Sequence, residues 1–178
     1  MVNPLKPKQR RALTMDSWGF APAVANIKLP TLAELTAITG LNITCHLFRD
    51  QEGINGATAR VTLPARLCEA DDYEVNGSTT YSMSDLVSAW EPQAAAGSDG
   101  KKAWETLQDQ LLGFLWRRQD VTVTTDLAAG QFVDVVPVQL GTKIPGKNAT
   151  DASGVYVFTQ PVSIVSAPAF NVPILASA

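Results

Sequence analysis

The sequence contains few of the side chains on which most enzymes and metal sites depend. Its 178 residues include one histidine, His46, and two cysteines, Cys45 and Cys68. No spacing connects His46 to a nucleophile as in a Ser/His/Asp triad, and these three residues lack the spacing of a structural zinc site. The sequence has no phosphate-binding loop, nucleophile elbow or dinucleotide-binding glycine motif. We therefore expect no enzymatic activity, no cofactor and no metal.

Long apolar runs are missing as well. No uncharged apolar segment approaches the ~18 residues that a membrane-spanning helix needs. The basic N-terminus is not followed by the apolar run of a secretory signal, and two cysteines are too few for a disulfide framework. We expect a protein that is made in the cytoplasm, forms one domain large enough to bury a hydrophobic core and has no membrane partner.

Charge is unevenly distributed along the chain. The net charge is −3, yet residues 1–11 contain no acid and four basic residues: Lys6, Lys8, Arg10 and Arg11. Residues 67–99 contain no Lys or Arg, and their acids include the group Glu69, Asp71, Asp72 and Glu74. This acidic group is either a solvated loop face or a surface that repels polyanions or meets a basic partner. An acidic body disfavours tight sequence-independent DNA binding, which requires neutralised phosphates.

The two ends of the chain differ from its middle. Residues 165–178 are apolar and uncharged, and Pro168 and Pro173 interrupt them. Apolar segments without regular structure need a partner surface, and the simplest partner is another copy of the chain. We expect an N-terminal arm over 1–20, a β domain over 21–165 and a C-terminal arm over 166–178. The residues expected to contact neighbouring copies are the four basic residues of the N-terminal arm together with Phe170, Val172, Ile174 and Leu175.

Alternation of apolar and polar residues predicts several strands. They cover residues 41–48, 58–63, 120–125, 131–139 and 154–165. Asn76-Gly77 predicts the turn of a β-hairpin within residues 72–83. Pro137 and Pro161 each remove a backbone donor, so they predict edges, bulges or ends of strand pairing.

Helical signals are fewer. Thr31 and Glu34 form a capping box that predicts a short helix over residues 31–39, and Ser84 predicts a brief helix over 84–90. One long helix is predicted over residues 100–118 from the spacing of Trp104, Leu107, Leu111, Phe114 and Leu115. Together the pattern predicts a mainly β fold, an antiparallel sandwich or barrel with one flanking helix and extended terminal arms.

In this order of elements the sequence resembles the major tail tube protein of long-tailed, siphophage-type bacteriophages. The resemblance covers about residues 20–170 and rests on PTLAELTAITG followed by LNITCHLF, the 73–83 hairpin, KKAWETLQDQLLGFLWRR, and the closing strands VTVTT, QFVDVVPVQL and VYVFTQPVSIV. It implies a structural virion protein that forms stacked, hexameric rings around a lumen through which the genome passes. It also implies other tail proteins as partners: a tape measure protein, a tail terminator and a distal tail protein.

On this resemblance, the arms would form the ring and stacking interface, and the acidic group would lie on the lumen or between rings. Two alternatives remain open, a phage head decoration protein and a monomeric β-barrel that binds a small ligand at its mouth.

Overall fold

The computed structural model describes residues 14–48, 53–68, 71–148 and 154–177. The predicted contact residues Lys6, Lys8, Arg10 and Arg11, as well as Glu69, lie outside these ranges. The described elements are β1 (Ser17–Ala21), α1 (Leu32–Leu35), β2 (Leu41–Asn42), β3 (Ile54–Leu63), β4 (Tyr73–Met83), β5 (Leu86–Ala89), α2 (Asp99–Thr106), β6 (Leu112–Arg118), β7 (Phe132–Leu140), β8 (Ile144–Lys147), β9 (Tyr156–Gln160), β10 (Val162–Ile164) and β11 (Ala169–Pro173). Neither α1 nor α2 has the length and apolar character required to cross a membrane.

The strands form three antiparallel sheets. The main sheet has the order β10-β7-β6-β1-β2, and β11 also pairs with β7. A smaller sheet has the order β5-β9-β8, and β3 pairs with β4 as a separate two-stranded ribbon. The prediction of a mainly β, antiparallel, sandwich-like fold is confirmed.

The main sheet is buried on both faces. On one face Phe20 and Leu115 pack against Leu86 and Phe158 of the smaller sheet. On the other face Trp116 and Val135 pack with Leu35 of α1 and with Ile174. Because neighbouring residues of a strand point to opposite faces, Leu115 and Trp116 enter different cores.

The predicted long helix over residues 100–118 is wrong, and the burial of the main sheet on both faces explains the error. Only Asp99–Thr106 is helical, and Leu112–Arg118 is the strand β6. A strand covered on both faces carries a continuous apolar run rather than an alternating one, so LLGFLW lacks the alternation that predicts a strand, and its residues Leu111, Phe114 and Leu115 also fit helical spacing. The chain leaves the helix at Leu107 and turns through Gln110, whose φ is +61°.

The predicted Asn76-Gly77 hairpin turn is also wrong. Residues 73–83 form the single strand β4, which pairs along its length with β3. The brief helix expected over 84–90 is instead β5, whose Leu86 and Ser88 are buried. In both places pairing with another strand, β3 for residues 73–83 and β9 for β5, outweighs the local signal.

Two of the predicted strands are mostly turns. In the segment 41–48 only Leu41–Asn42 pair as a strand. There the Thr44 hydroxyl donates to the Trp18 carbonyl (3.1 Å) and accepts the Trp18 N–H (2.8 Å), so a side chain takes the place of a partner strand. The segment 120–125 forms turns rather than a strand.

The buried side chain of Arg118 accounts for the conformation of that second segment. Arg118 is 2% exposed, and its guanidinium donates to the carbonyl oxygens of Thr125 (2.6 Å), Asp126 (3.0 Å) and Thr122 (3.4 Å). It also donates to Ser17 Oγ and Gln131 Oε1. Burial lowers the pKa of Arg118, although Asp126 opposes this shift. The connection from β6 to β7 therefore turns its carbonyl groups toward the guanidinium of Arg118.

Several local predictions are confirmed. Residues 131–139 correspond to β7, and 58–63 lie within β3. Pro161 separates β9 from β10, which belong to different sheets. Pro137 lies where the outer neighbour of β7 changes from β11, paired through Val135, to β10, paired from Val138. Its missing N–H thus falls at a break in the pairing.

The predicted capping box is present and gives a pH-dependent contact. Glu34 accepts the backbone N–H groups of Ala25 and Thr31, both at 2.8 Å. These two hydrogen bonds, that from Ala25 first, lower the pKa of Glu34. A group with a lowered folded pKa stabilises the fold above its unfolded pKa, and this contribution is lost as the pH falls through the folded value.

We expect Glu34→Gln to lower the free energy of unfolding by about 0.5–1 kcal/mol at pH 7, as for loss of a helix cap. The difference from the parent should shrink well below pH 4, because the parent carboxylate is then protonated as well. Urea unfolding midpoints at pH 7 and pH 3 measure this. An equal difference at both pH values would show that the charge of Glu34 is irrelevant.

Candidate subunit interface

The ribbon formed by β3 and β4 is the most exposed part of the described chain. Its strands have 10 and 11 residues, which gives a length of roughly 33 Å at ~3.3 Å per residue. The register runs from Ile54 opposite Met83 at the base to Leu63 opposite Tyr73 at the far end. An isolated two-stranded ribbon is only marginally stable in water, so a ribbon of this length requires further contacts.

A β-bulge in the middle of the ribbon decides which side chains share a face. Thr58 pairs with Thr79, but Arg60 pairs with Asn76, so Gly77 and Ser78 together oppose Ala59. The extra residue in β4 moves each later side chain of that strand to the opposite face.

Beyond the bulge the ribbon is amphipathic. Val61 lies opposite Val75 and Leu63 lies opposite Tyr73 on one face, whereas Arg60 and Glu74 form an ion pair (3.5 Å) on the other. We call the first set the apolar ribbon face; its members keep much of their surface exposed, Val61 48%, Leu63 43%, Tyr73 54% and Val75 45%. Contiguous exposed apolar residues of this kind mark an interaction surface.

The ribbon is attached to the body at its base. Ile54 and Met83 pack against the core between the two larger sheets. Tyr81 approaches the ring of Phe170 with 6.1 Å between centroids, and β4 packs on β10. The base is therefore fixed by packing within the chain, and the apolar ribbon face projects beyond it.

Comparison with protein families agrees with an assembling subunit. A family model described as phage tail tube protein matches residues 4–177. The chain belongs to the phage tail tube protein family. No curated protein matches this sequence. Membership identifies a structural phage protein located in the virion tail, which assembles with itself and with other tail proteins. The family thus points to a protein without enzymatic activity.

In this tail tube protein the C-terminal segment does not lie where the sequence predicted. Residues Ala169–Pro173 form β11 on β7, and Ile174 is 2% exposed within the core. Leu175 accepts a hydrogen bond from Leu32 N–H and donates one to the carbonyl of Pro30. The expectation that this segment has no partner within its own chain is therefore wrong over the described residues.

A buried carboxylate holds the C-terminal strand in place. Asp134 accepts two hydrogen bonds from Arg117 (2.8 and 3.0 Å), and its other oxygen accepts the backbone N–H of Asn171 (2.9 Å). Asn171, with φ +51°, lies in the bulge of β11. Of the predicted C-terminal contact residues, Phe170 and Leu175 remain 44% and 41% exposed, Val172 is partly buried, and Ile174 is inaccessible to a partner.

The N-terminal boundary also differs from the prediction. β1 begins at Ser17, and Trp18 and Phe20 are 3% and 1% exposed. The predicted arm over 1–20 therefore extends too far, because its last residues form a central strand of the main sheet.

The acidic residues lie at the far end of the ribbon. Asp71, Asp72 and Glu74 are exposed, and Glu74 pairs with Arg60 on the polar ribbon face. The apolar ribbon face beside them was not predicted from the sequence. The alternation of residues 58–63 in the sequence indicates the half of this face that lies in β3. The half in β4 depends on the bulge at Gly77, which the sequence pattern does not show.

Proposed function

We propose that this tail tube protein is of the siphophage type and self-assembles into stacked, hexameric rings that conduct the genome to the host. The apolar ribbon face carries the proposal, since it is an exposed apolar surface on an element that is marginal without cover. Contact with a neighbouring copy would remove the apolar ribbon face from water. The exposed side chains of Phe170 and Leu175 are proposed as further contacts, with Val172 at their margin.

We further propose that Asp71, Asp72 and Glu74, together with Glu69, form an acidic surface on the lumen or between rings. A negative lumen repels DNA phosphates and prevents adhesion of the passing genome. The basic residues Lys6, Lys8, Arg10 and Arg11 are proposed to meet an acidic surface of an adjacent copy. Such a contact weakens as added salt screens it.

The test of assembly uses two neighbouring residues on opposite ribbon faces. We expect Val61→Lys to raise the concentration for half-maximal assembly at least tenfold, because a buried, unpaired ammonium is costly. Thr62→Lys is the matched control and should assemble like the parent protein, since Thr62 lies on the polar face. Light scattering and negative-stain microscopy of the concentrated protein measure assembly.

Parent protein that remains monomeric at high concentration would contradict the proposed function. Equal assembly of the two variants would show that the apolar ribbon face is not part of the subunit interface. In the same assay, Asp71→Asn/Asp72→Asn should give tubes of parental dimensions if these acids face the lumen, and shorter or fewer tubes if they lie between rings.

A further inference from the structure

An apolar groove lies on the face of the main sheet that α1 covers in part. Its volume is about 520 Å³, within the roughly 300–1,000 Å³ of pockets that enclose whole small ligands. It lies between the connection from β1 to α1, the start of β6, and the chain that follows β10. Its apolar walls include Pro22, Val24, Ile27, Leu112, Phe114 and Val165.

The walls are apolar and remain open to solvent. Leu112 and Val165, at the start of β6 and after β10, are 59% and 51% exposed. The described residues that line the groove include no charged side chain, and Asn26 and Ser166 supply polar atoms. A partner for this surface must therefore be apolar, with at most an isolated polar group to satisfy.

From these features we infer that the groove is the docking site for the apolar ribbon face of a second copy of this chain. The inference rests on the proposed function and names the partner surface for the ribbon. Four apolar side chains, Val61, Leu63, Val75 and Tyr73, face one way without a charge among them, and Arg60 and Glu74 on the reverse face stay in water. The Tyr73 hydroxyl, which needs a partner when buried, meets Asn26 or Ser166 at the groove.

Within one copy the described ribbon does not occupy the groove, so we assign the partner ribbon to a different copy. The ribbon base, at Ile54 and Met83, packs into the core between the main and smaller sheets. The groove residues Val24 and Phe114 pack into the core on the opposite face of the main sheet. The described groove lining contains no ribbon residue. A ribbon from one copy that fills the groove of the next forms a head-to-tail contact, the kind that closes into rings or continues as a stack.

Filling the groove tests the inference without disturbing the core. Ala25 is exposed and lines the groove, whereas Ala23 is exposed on the same connection and lies outside it. Ala25→Trp should raise the concentration for half-maximal assembly at least tenfold, and Ala23→Trp should leave it within twofold of the parent. Equal thermal unfolding midpoints for the two variants verify that each fold is intact. Normal assembly of Ala25→Trp would overturn the inference.

Disulfide trapping identifies the occupant. In a background of Cys45→Ser and Cys68→Ser, which removes both exposed native thiols, copies with Leu112→Cys are mixed with size-tagged copies carrying cysteine at Val61, Leu63 or Val75. At least one pair should give tenfold more mixed dimer on oxidation than Leu112→Cys with Thr62→Cys. Tubes without this excess would overturn the groove inference and leave the proposed function standing. Mixed dimers without tubes would support the groove and contradict the tube, and the absence of both would contradict both.

Discussion

Replacing Arg118 with methionine is expected to lower the free energy of unfolding by about 3 kcal/mol. Methionine fills a similar volume, but it leaves the carbonyl oxygens of Thr122, Thr125 and Asp126 without their donor. A buried polar group left unpaired costs about 1–3 kcal/mol. The costs do not add fully, because part of the connection can turn its carbonyls to water.

The variant Arg118→Lys tests whether the positive charge alone, or the geometry of the guanidinium donors, stabilises this connection. Lysine keeps the positive charge, but its single nitrogen cannot reproduce a planar fork of donors that reaches several carbonyls, so an intermediate loss is expected. Urea unfolding gives the stabilities, and amide hydrogen exchange over residues 119–131 should show faster exchange in both variants. A methionine variant within 0.5 kcal/mol of the parent, with unchanged exchange, would show that the cation does not organise this connection.

Gly19→Ala is expected to lower the free energy of unfolding by about 3 kcal/mol. Gly19 pairs with Trp116 in the main sheet, and a Cβ at Gly19 would overlap the indole ring of Trp116. Trp116 is 1% exposed and packs in the core that contains Leu35. The ring therefore has to move within a filled space, and overpacking of this kind typically costs about 1–3 kcal/mol.

Gly146→Ala provides the matched control. Gly146 also lies in a strand, but a Cβ there has no neighbour within 4 Å, so its effect should remain within about 0.5 kcal/mol. The double variant Gly19→Ala/Trp116→Phe should lose less stability than the sum of the losses of the two single variants, because the smaller ring leaves space for the added methyl group. Equal losses for Gly19→Ala and Gly146→Ala, measured by urea unfolding, would contradict the packing argument.

The interactions that were predicted correctly are local ones. The capping box joins Thr31 and Glu34, three residues apart, and needs nothing beyond its own helix end. Pro137 and Pro161 lack a backbone donor wherever they stand, so their places at breaks in pairing follow from their chemistry. The family resemblance is confirmed at the level of a phage tail tube protein.

The errors arise where a distant partner decides the local conformation. The run LLGFLW became a strand because β1 and β7 flank it and cores cover both its faces. The segment after Arg118 forms turns because the guanidinium, which is held in the interior beside Ser17 of β1, binds its carbonyl groups. Residues 169–173 became β11 because β7 offers a free edge and Asp134 accepts the Asn171 N–H.

Composition and contacts between neighbouring residues are enough to predict the β-rich class, the helix cap and the breaks at proline, and the order of segments along the chain is enough to predict the structural family. The surfaces that remain for a partner follow from strand pairing and packing, which the sequence pattern does not reveal. A single extra residue at Gly77–Ser78 places Val75 and Tyr73 beside Val61 and Leu63, and strand register, which fixes side-chain faces, depends on how two strands pair and not on the pattern of either strand alone.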